Sequence, residues 1–359
     1  MTKSDFIVLA NRQGRSFGEK VVKDLKSQFK KDLRRNIRLT EIKIENFNNG
    51  ELNIILPESV REKDVHLIAG VGQGEGTDMY QDIFEILIIC DTLNRAGSRK
   101  IILYIPFLPF QRQDAKTEGR EPISAKLIFN LLVASAPKPL SRIVTTDLHN
   151  DAAQGFLDIP IDNLKAMPLF VLYYKSLKEL KNRDLLVVSP DPGGAKRARR
   201  FAQLLGVPWT VMPKIREKAK EAKLSVSSER FDGKTVIIPD DMIDTGGSIV
   251  KGAEFLRENG ASFIYACCTH GIFSQNENGV SAEDRLRKSG VKVLTTDTIP
   301  RSSEYYHQNS DWLSEISIAE YFADALYANQ TSHSVSEILD RQFEEARKKE
   351  GSIKRYLIK

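Results

Sequence analysis

The densest chemistry in the chain lies in the run Val236-Ile-Ile-Pro-Asp240-Asp241-Met-Ile-Asp244-Thr245-Gly246-Gly247-Ser248. An apolar, strand-like stretch delivers two adjacent carboxylates at its carboxyl end, the place where open α/β sheets bind ligands. A third carboxylate follows, and then a Thr-Gly-Gly-Ser turn enters a helix. Glycines let backbone N–H groups approach an anion closely, and a helix N-terminus favours negative charge. Carboxylates beside an anion cradle make little sense for phosphate alone. They suit sugar hydroxyls, or a metal that hydroxyls share. Capping a helix needs one Asp or Thr rather than three carboxylates, so the run reads as a sugar-phosphate site.

A second signal is charge. Between Ala195 and Lys223 there are nine Lys/Arg against two Glu, and the run begins beside Asp191 and the pair Gly193-Gly194. Clustered positive charge at such a turn suits a polyanionic ligand. Nucleic acid is the rival partner, but its readers pair charge with a recognisable motif or exposed aromatics. The run has neither, so no nucleic acid is expected. The tail 340–359, with seven basic and four acidic residues, reads as a solvated helix face. Two lookalikes fall away. Gly70-Val-Gly72-Gln-Gly74-Glu-Gly76 misplaces the third glycine of a dinucleotide fingerprint and reads as a flexible turn. His270 near Cys267-Cys268 has no second Cys/His pair at zinc spacing.

The elements that must position these residues follow from apolar patterning. Strands are predicted at 6–10, 65–69, 100–105, 142–146, 185–189, 207–211, 235–239, 263–269 and 292–295. Helices are predicted at 18–33, 79–96, 124–136, 168–180, 194–205, 247–259 and 282–289, with Gly260 where a helix-ending glycine belongs. Near-continuous apolar strands alternating with helices imply a mainly parallel sheet covered on both faces. At 359 residues, that rhythm implies two doubly wound α/β domains, 1–164 and 165–330, and an appended helical tail, 331–359. The segments 108–122 and 214–231 break the rhythm as long loops of the kind that carry function. The net charge of +5 with 41% hydrophobic and 28% charged residues excludes a disordered or fibrous chain. No apolar run approaches the ~18–20 residues of a membrane span, so no membrane association is expected. The three cysteines sit in apolar runs, as in a reducing compartment, and a cytoplasmic location is expected.

Asp240–Ser248 resembles the phosphoribosyl pyrophosphate motif of the type I phosphoribosyltransferases. Further blocks narrow the resemblance: Phe47-Asn-Asn49-Gly50-Glu51, Arg112-Gln113-Asp114, Pro122-Ile-Ser-Ala-Lys126, Asp147-Leu-His149, Asp158 to Leu164, Ser189-Pro-Asp191-Pro-Gly193-Gly194 and Thr269-His270-Gly271. Together, over residues 5–340, they resemble the ribose-phosphate pyrophosphokinase family. The resemblance implies two type I phosphoribosyltransferase-like domains and transfer of the pyrophosphoryl group of ATP to the anomeric hydroxyl of ribose 5-phosphate. It implies Mg²⁺ as cofactor and a homo-oligomer whose site is shared between subunits. It places ATP at Phe47, Asn49, Gly50, Glu51, Arg112, Gln113 and Asp114, and metal at His149, Asp191 and Asp147. Asp158 and Asp162 are further acids near the metal region. Ribose 5-phosphate falls to Asp240, Asp241, Asp244, Thr245, Gly246, Gly247 and Ser248, and catalysis to Lys214 and Arg216 on a closing lid. Such roles make physical sense, since phosphoryl-type transfer relies on positioning and charge stabilisation. A phosphoribosyltransferase, and a silent regulatory relative, are the competing readings. One departure stands out: many phosphate-activated members carry a small hydroxyl residue where Asp151 stands. A carboxylate there is expected to repel phosphate and weaken its effect, unless a nearby cation such as Lys116 or Arg120 pairs with it.

Overall fold

A computed structural model describes residues 5–33, 37–72, 78–212 and 230–348. In chain order the elements are β1 (Phe6–Ala10), α1 (Arg15–Leu33), β2 (Leu39–Glu41), β3 (Lys43–Asn46), β4 (Leu52–Ile55), β5 (Asp64–Ile68), α2 (Met79–Arg95), β6 (Lys100–Tyr104), α3 (Ser124–Ser135), β7 (Leu140–Thr146) and β8 (Ile161–Leu164). Then come α4 (Met167–Ser176), β9 (Leu185–Ser189), α5 (Ala195–Leu205), β10 (Trp209–Val211), β11 (Thr235–Ile243), α6 (Gly247–Glu258), β12 (Phe263–Gly271), α7 (Ala282–Ser289), β13 (Lys292–Thr296), α8 (Ser303–Gln308), β14 (Leu313–Ile316), α9 (Ala319–Thr331) and α10 (Val335–Arg347). The predicted α/β class is the observed one: two six-stranded sheets, β2-β1-β5-β6-β7-β8 and β10-β9-β11-β12-β13-β14, are each parallel throughout. A small antiparallel pair, β3-β4, stands apart.

The chain divides into two compact units. The first comprises the residues up to Lys165 with Asp297–Ser302 and Ser317–Asp340; the second comprises Ala166–Thr296, Ser303–Ile316 and the residues from Arg341. In the first unit, strand alternation sends Ile7, Leu9, Val65, Leu67, Ile101 and Leu103 to one face, where they pack with Ile86, Ile89 and Leu93 of α2 and Phe129 and Leu132 of α3. Each such side chain contributes roughly 1.5–3 kcal/mol when fully buried. Tyr104 faces the other way and meets Phe322 of α9, which in turn meets Phe17 of α1. His66 is fully buried on that face, its Nδ1 3.0 Å from the Tyr104 hydroxyl and its Nε2 2.9 Å from Oε1 of Gln330.

In the second unit, Val188, Val236, Ile238, Ile264 and Ala266 pack with Ile249, Ala253 and Leu256 of α6 and Leu286 of α7. On the opposite face Tyr174 of α4 meets Phe201 of α5 and Tyr265 of β12. Strand β9 pairs with β11 only through Ile237, while β12 accompanies β11 to Ile243. From Ile238 onward β11 therefore overruns β9. This overhang accommodates Pro239, which has no N–H to give a ladder, and it carries Asp240 and Asp241.

Candidate active site

In the second unit the site is built on that overhang. Arg197, three residues into α5's sequence, reaches Oδ1 of Asp240 at 2.5 Å through NH1 and Oδ1 of Asp241 at 3.0 Å through NH2. The Asp241 backbone N–H also donates to Oδ1 of Asp240, at 2.9 Å. Burial and the neighbouring carboxylate push the proton affinity of Asp240 up, and Arg197 opposes the rise. Beyond β11 the turn Asp244–Ser248 leads into α6. Gly246, the N-cap residue of α6, has φ 72° and no side chain of its own to cap the helix. A Cβ at Gly246 would lie 3.2 Å from Cγ of Leu286, so the turn takes both a left-handed residue and one without a side chain. NH1 of Arg285 donates to the carbonyl of Thr245 at 2.8 Å, placing a guanidinium beside the turn. A helix N-terminus with glycines and a nearby cation is the cradle a phosphate group needs.

The turn after β9 carries Asp191. Its Oδ1 accepts from the Gly194 backbone N–H at 3.0 Å, and its carbonyl accepts from Oγ of Ser189 at 2.6 Å. A Cβ at Gly194 would lie 2.7 Å from Ser189 Oγ, so glycine is needed for that closure. The Asp191 side chain remains exposed while its turn is fixed.

In the first unit, the turn after β7 is fastened residue by residue. Asp147 has φ 40°, a left-handed conformation disfavoured for Asp. Its backbone N–H donates to Leu164 O at 2.9 Å, and its Oδ1 lies 3.6 Å from Nζ of Lys165. Leu148 N–H donates to Oδ1 of Asn163 at 3.1 Å, and His149 N–H to Oε1 of Gln111 at 2.8 Å. Gln111 is buried and donates from its other end to the Leu108 carbonyl. Asn150 donates to Oδ2 of Asp114 at 2.6 Å. Asp151 accepts from both Lys165 and Asn163, each at 2.8 Å. The cation beside Asp151 is thus Lys165, rather than Lys116 or Arg120.

The remaining predicted residues divide between contact and support. Phe47 is 55% exposed at the tip of the β3–β4 hairpin. Asn49 accepts from Glu51 N–H at 3.1 Å, and Gly50 (φ 89°) donates to the Phe47 carbonyl at 2.8 Å, so these two shape the tip. At the last ladder pair before the hairpin turn, Arg12 joins Asn46 at 2.6 Å, and it also meets Glu85 at 3.1 Å. They border a cavity of about 540 Å³ that also meets Glu51, Tyr80 and Phe84. Arg112 is exposed; Oε1 of Gln113 accepts from Oγ of Ser124 at 3.0 Å at the start of α3. Asp162 is engaged by Arg142 at 2.5 Å and has a structural role, whereas Asp158 is exposed. Gly70 and Gly72 are close-approach positions, a Cβ on Gly72 lying 2.8 Å from Cγ2 of Ile299, and the rest of the predicted flexible turn, 73–76, lies outside the described residues. Gly70 N–H donates to Oδ1 of Asn11 at 2.8 Å. Lys214, Arg216 and most of the predicted lid lie outside the described residues. No group of three His, Cys, Asp or Glu that could alone hold a metal ion occurs among the described residues. His270 is buried in β12, and the three cysteines are free. Sequence reasoning gave no site role to Arg197, Arg285, Gln111, Asn163 and Lys165, because a single polar residue in a helix, strand or loop carries no spacing signal of its own.

Residues 6–135 match the family model of the N-terminal domain of ribose phosphate pyrophosphokinase, and residues 208–340 that of the phosphoribosyl synthetase-associated domain. The ribose-phosphate pyrophosphokinase of Fusobacterium nucleatum is 37% identical over 305 residues, covering 85% of this chain and 92% of that protein. That of Thermotoga maritima is 37% identical over 303 residues, covering 84% and 90%. The chain belongs to the ribose-phosphate pyrophosphokinase family. The crystal structure of phosphoribosylpyrophosphate synthetase from Mycobacterium smegmatis agrees, with a TM-score of 0.75 at 33% identity over 91% of this chain and 99% of that one. Family membership makes the chain a transferase of the kinase type in nucleotide biosynthesis. A phosphoribosyltransferase reading does not account for the match to the pyrophosphokinase N-terminal domain.

Proposed function

We propose that the chain transfers the β,γ-pyrophosphoryl group of ATP to the anomeric hydroxyl of ribose 5-phosphate, giving 5-phosphoribosyl 1-pyrophosphate and AMP. The observation that carries this reading is the paired carboxylates Asp240 and Asp241 standing just before a glycine-lined helix N-terminus. Carboxylates accept hydrogen bonds from ribose hydroxyls, while the backbone N–H groups of Gly246, Gly247 and Ser248 receive the 5-phosphate. Asp244 and Thr245 complete that side of the site.

ATP falls to Phe47, Glu51 and Arg112 directly, with Asn49, Gly50, Gln113 and Asp114 holding their loops in shape. The fastened turn Asp147–His149 and the exposed Asp191 suit Mg²⁺, which takes few protein ligands and fills its octahedron with water and phosphate oxygens. When bound, Mg²⁺ supplies charge neutralisation at the phosphate oxygens. Lys214 and Arg216 neutralise charge that develops between the attacking hydroxyl and the departing AMP.

A homo-oligomer with a shared site is supported by an apolar stripe on the first unit: Tyr80, Phe84, Leu127 and Leu131 are exposed, at 61%, 62%, 57% and 39%. A cytoplasmic location is supported by the free, buried cysteines. No helix of the described residues is long and apolar enough to cross a membrane.

An AMP-release assay tests the reading. Release is expected only when ATP, ribose 5-phosphate and Mg²⁺ are all present. A folded protein that releases no AMP under those conditions is the silent relative instead.

A further inference from the structure

We propose that Arg197 is a positioning residue of the ribose site, which holds the Asp240 and Asp241 carboxylates together as one hydroxyl-accepting pair. The inference rests on the reading of those two residues as ribose ligands. Adjacent residues on a strand send their side chains to opposite faces, so one group that touches both must approach the strand edge-on. Such an edge exists because β9 stops pairing with β11 at Ile237. There the guanidinium of Arg197 meets Asp240 at 2.5 Å and Asp241 at 3.0 Å. A guanidinium presents its N–H groups at fixed separation, so it sets the spacing of its two acceptors as no flexible ammonium can.

The surroundings show why a fixed cation is needed. Strands β9 and β12 pair with β11, α5 packs on it, and α6 shares its core. Strand β9 brings no ionisable side chain; β12 brings Tyr265, the buried His270, and Cys267 and Cys268, whose thiols burial pushes up and keeps neutral. The ionisable residues of α6, and those of α5 other than Arg197, are exposed. Asp240 is pushed up by burial and by Asp241, and Arg197 counters both. Without that cation the pair retains a proton at higher pH and turns one acceptor into a donor.

The test is steady-state kinetics of Arg197→Gln and Arg197→Lys, varying each substrate in turn across neutral pH. In Arg197→Gln, KM for ribose 5-phosphate is expected to rise about tenfold or more, the effect of losing a charged hydrogen bond. KM for Mg–ATP is expected to stay within about twofold of wild type. The acid limb of kcat/KM for ribose 5-phosphate moves to higher pH. Arg197→Lys, with one point charge, falls between. If Arg197→Gln does not fold, Arg197→Lys carries the same split alone. An unchanged KM for ribose 5-phosphate in a folded variant, or equal rises for both substrates, overturns the proposal. Asp240→Asn separates the two claims: if it leaves KM for ribose 5-phosphate unchanged, the ribose assignment itself fails, whatever Arg197 does.

Discussion

At the scale of single residues, the turns Asp147–Asp151 and Asp244–Ser248 are built differently. Asp147–Asp151 is bonded at nearly every position, through Leu164, Asn163, Gln111, Asp114 and Lys165. His149→Ala is therefore expected to shift the Mg²⁺ dependence, while Asp244→Ala shifts the ribose 5-phosphate dependence. Titrations of rate against each component check this, and a His149→Ala effect seen only through the sugar contradicts the division. For the lid, Lys214→Ala is expected to lower kcat by ~10²-fold or more with a smaller change in KM, the pattern of a lost transition-state donor. Unchanged kcat removes Lys214 from catalysis. The sequence made the acids legible because three carboxylates ahead of a Thr-Gly-Gly-Ser turn form a spaced pattern. It left Gln111 and Arg197 silent, since their importance lies in what the fold brings to them. It left the partner of Asp151 unread, because Lys165 comes from the chain just after β8.

At the scale of elements, turn chemistry and buried polar ties decide how firmly the site is held. Gly246→Ala must adopt φ 72° and bring a Cβ to 3.2 Å from Leu286. A loss of ~1–2 kcal/mol is expected, read as a lower Tm together with a higher KM for ribose 5-phosphate. Burial of His66 between β5, β6 and α9 lowers its pKa from 6.5 to about 4. The unfolded chain then binds a proton that the folded chain refuses. Stability from this group is complete above pH 6.5 and is lost as pH falls towards 4. The full span is on the order of 3 kcal/mol. Melting curves should show a steeper acid decline for wild type than for His66→Phe, and parallel declines would contradict it. The long strands and helices were legible because each buries a continuous apolar stripe. Strands β2, β3, β4, β8 and β14 were not, being three or four residues long with little alternation.

At the scale of the whole molecule, the chain returns to its first unit after completing β13. Asp297 is buried there and accepts from Nζ of Lys20 at 2.8 Å, Oγ of Ser317 at 2.6 Å and the Ile318 N–H at 2.9 Å. Helix α9 then lies against α1, with Phe322 on Phe17. A chain ended before Ala319 should expose that face of the first sheet and become protease-sensitive within the first unit. A truncated protein that resists proteolysis like the full chain would contradict this. The return could not be read from sequence, because an apolar helix face names no partner, and 319–331 follows the second sheet in the chain. The two sheets themselves were plain from the β/α rhythm. The measurement that bears most directly on the account as a whole is phosphorus NMR of the products formed from ATP and ribose 5-phosphate. Equal amounts of AMP and a sugar bearing an anomeric pyrophosphate are the expected result, whereas ADP with a singly phosphorylated anomeric carbon would contradict it.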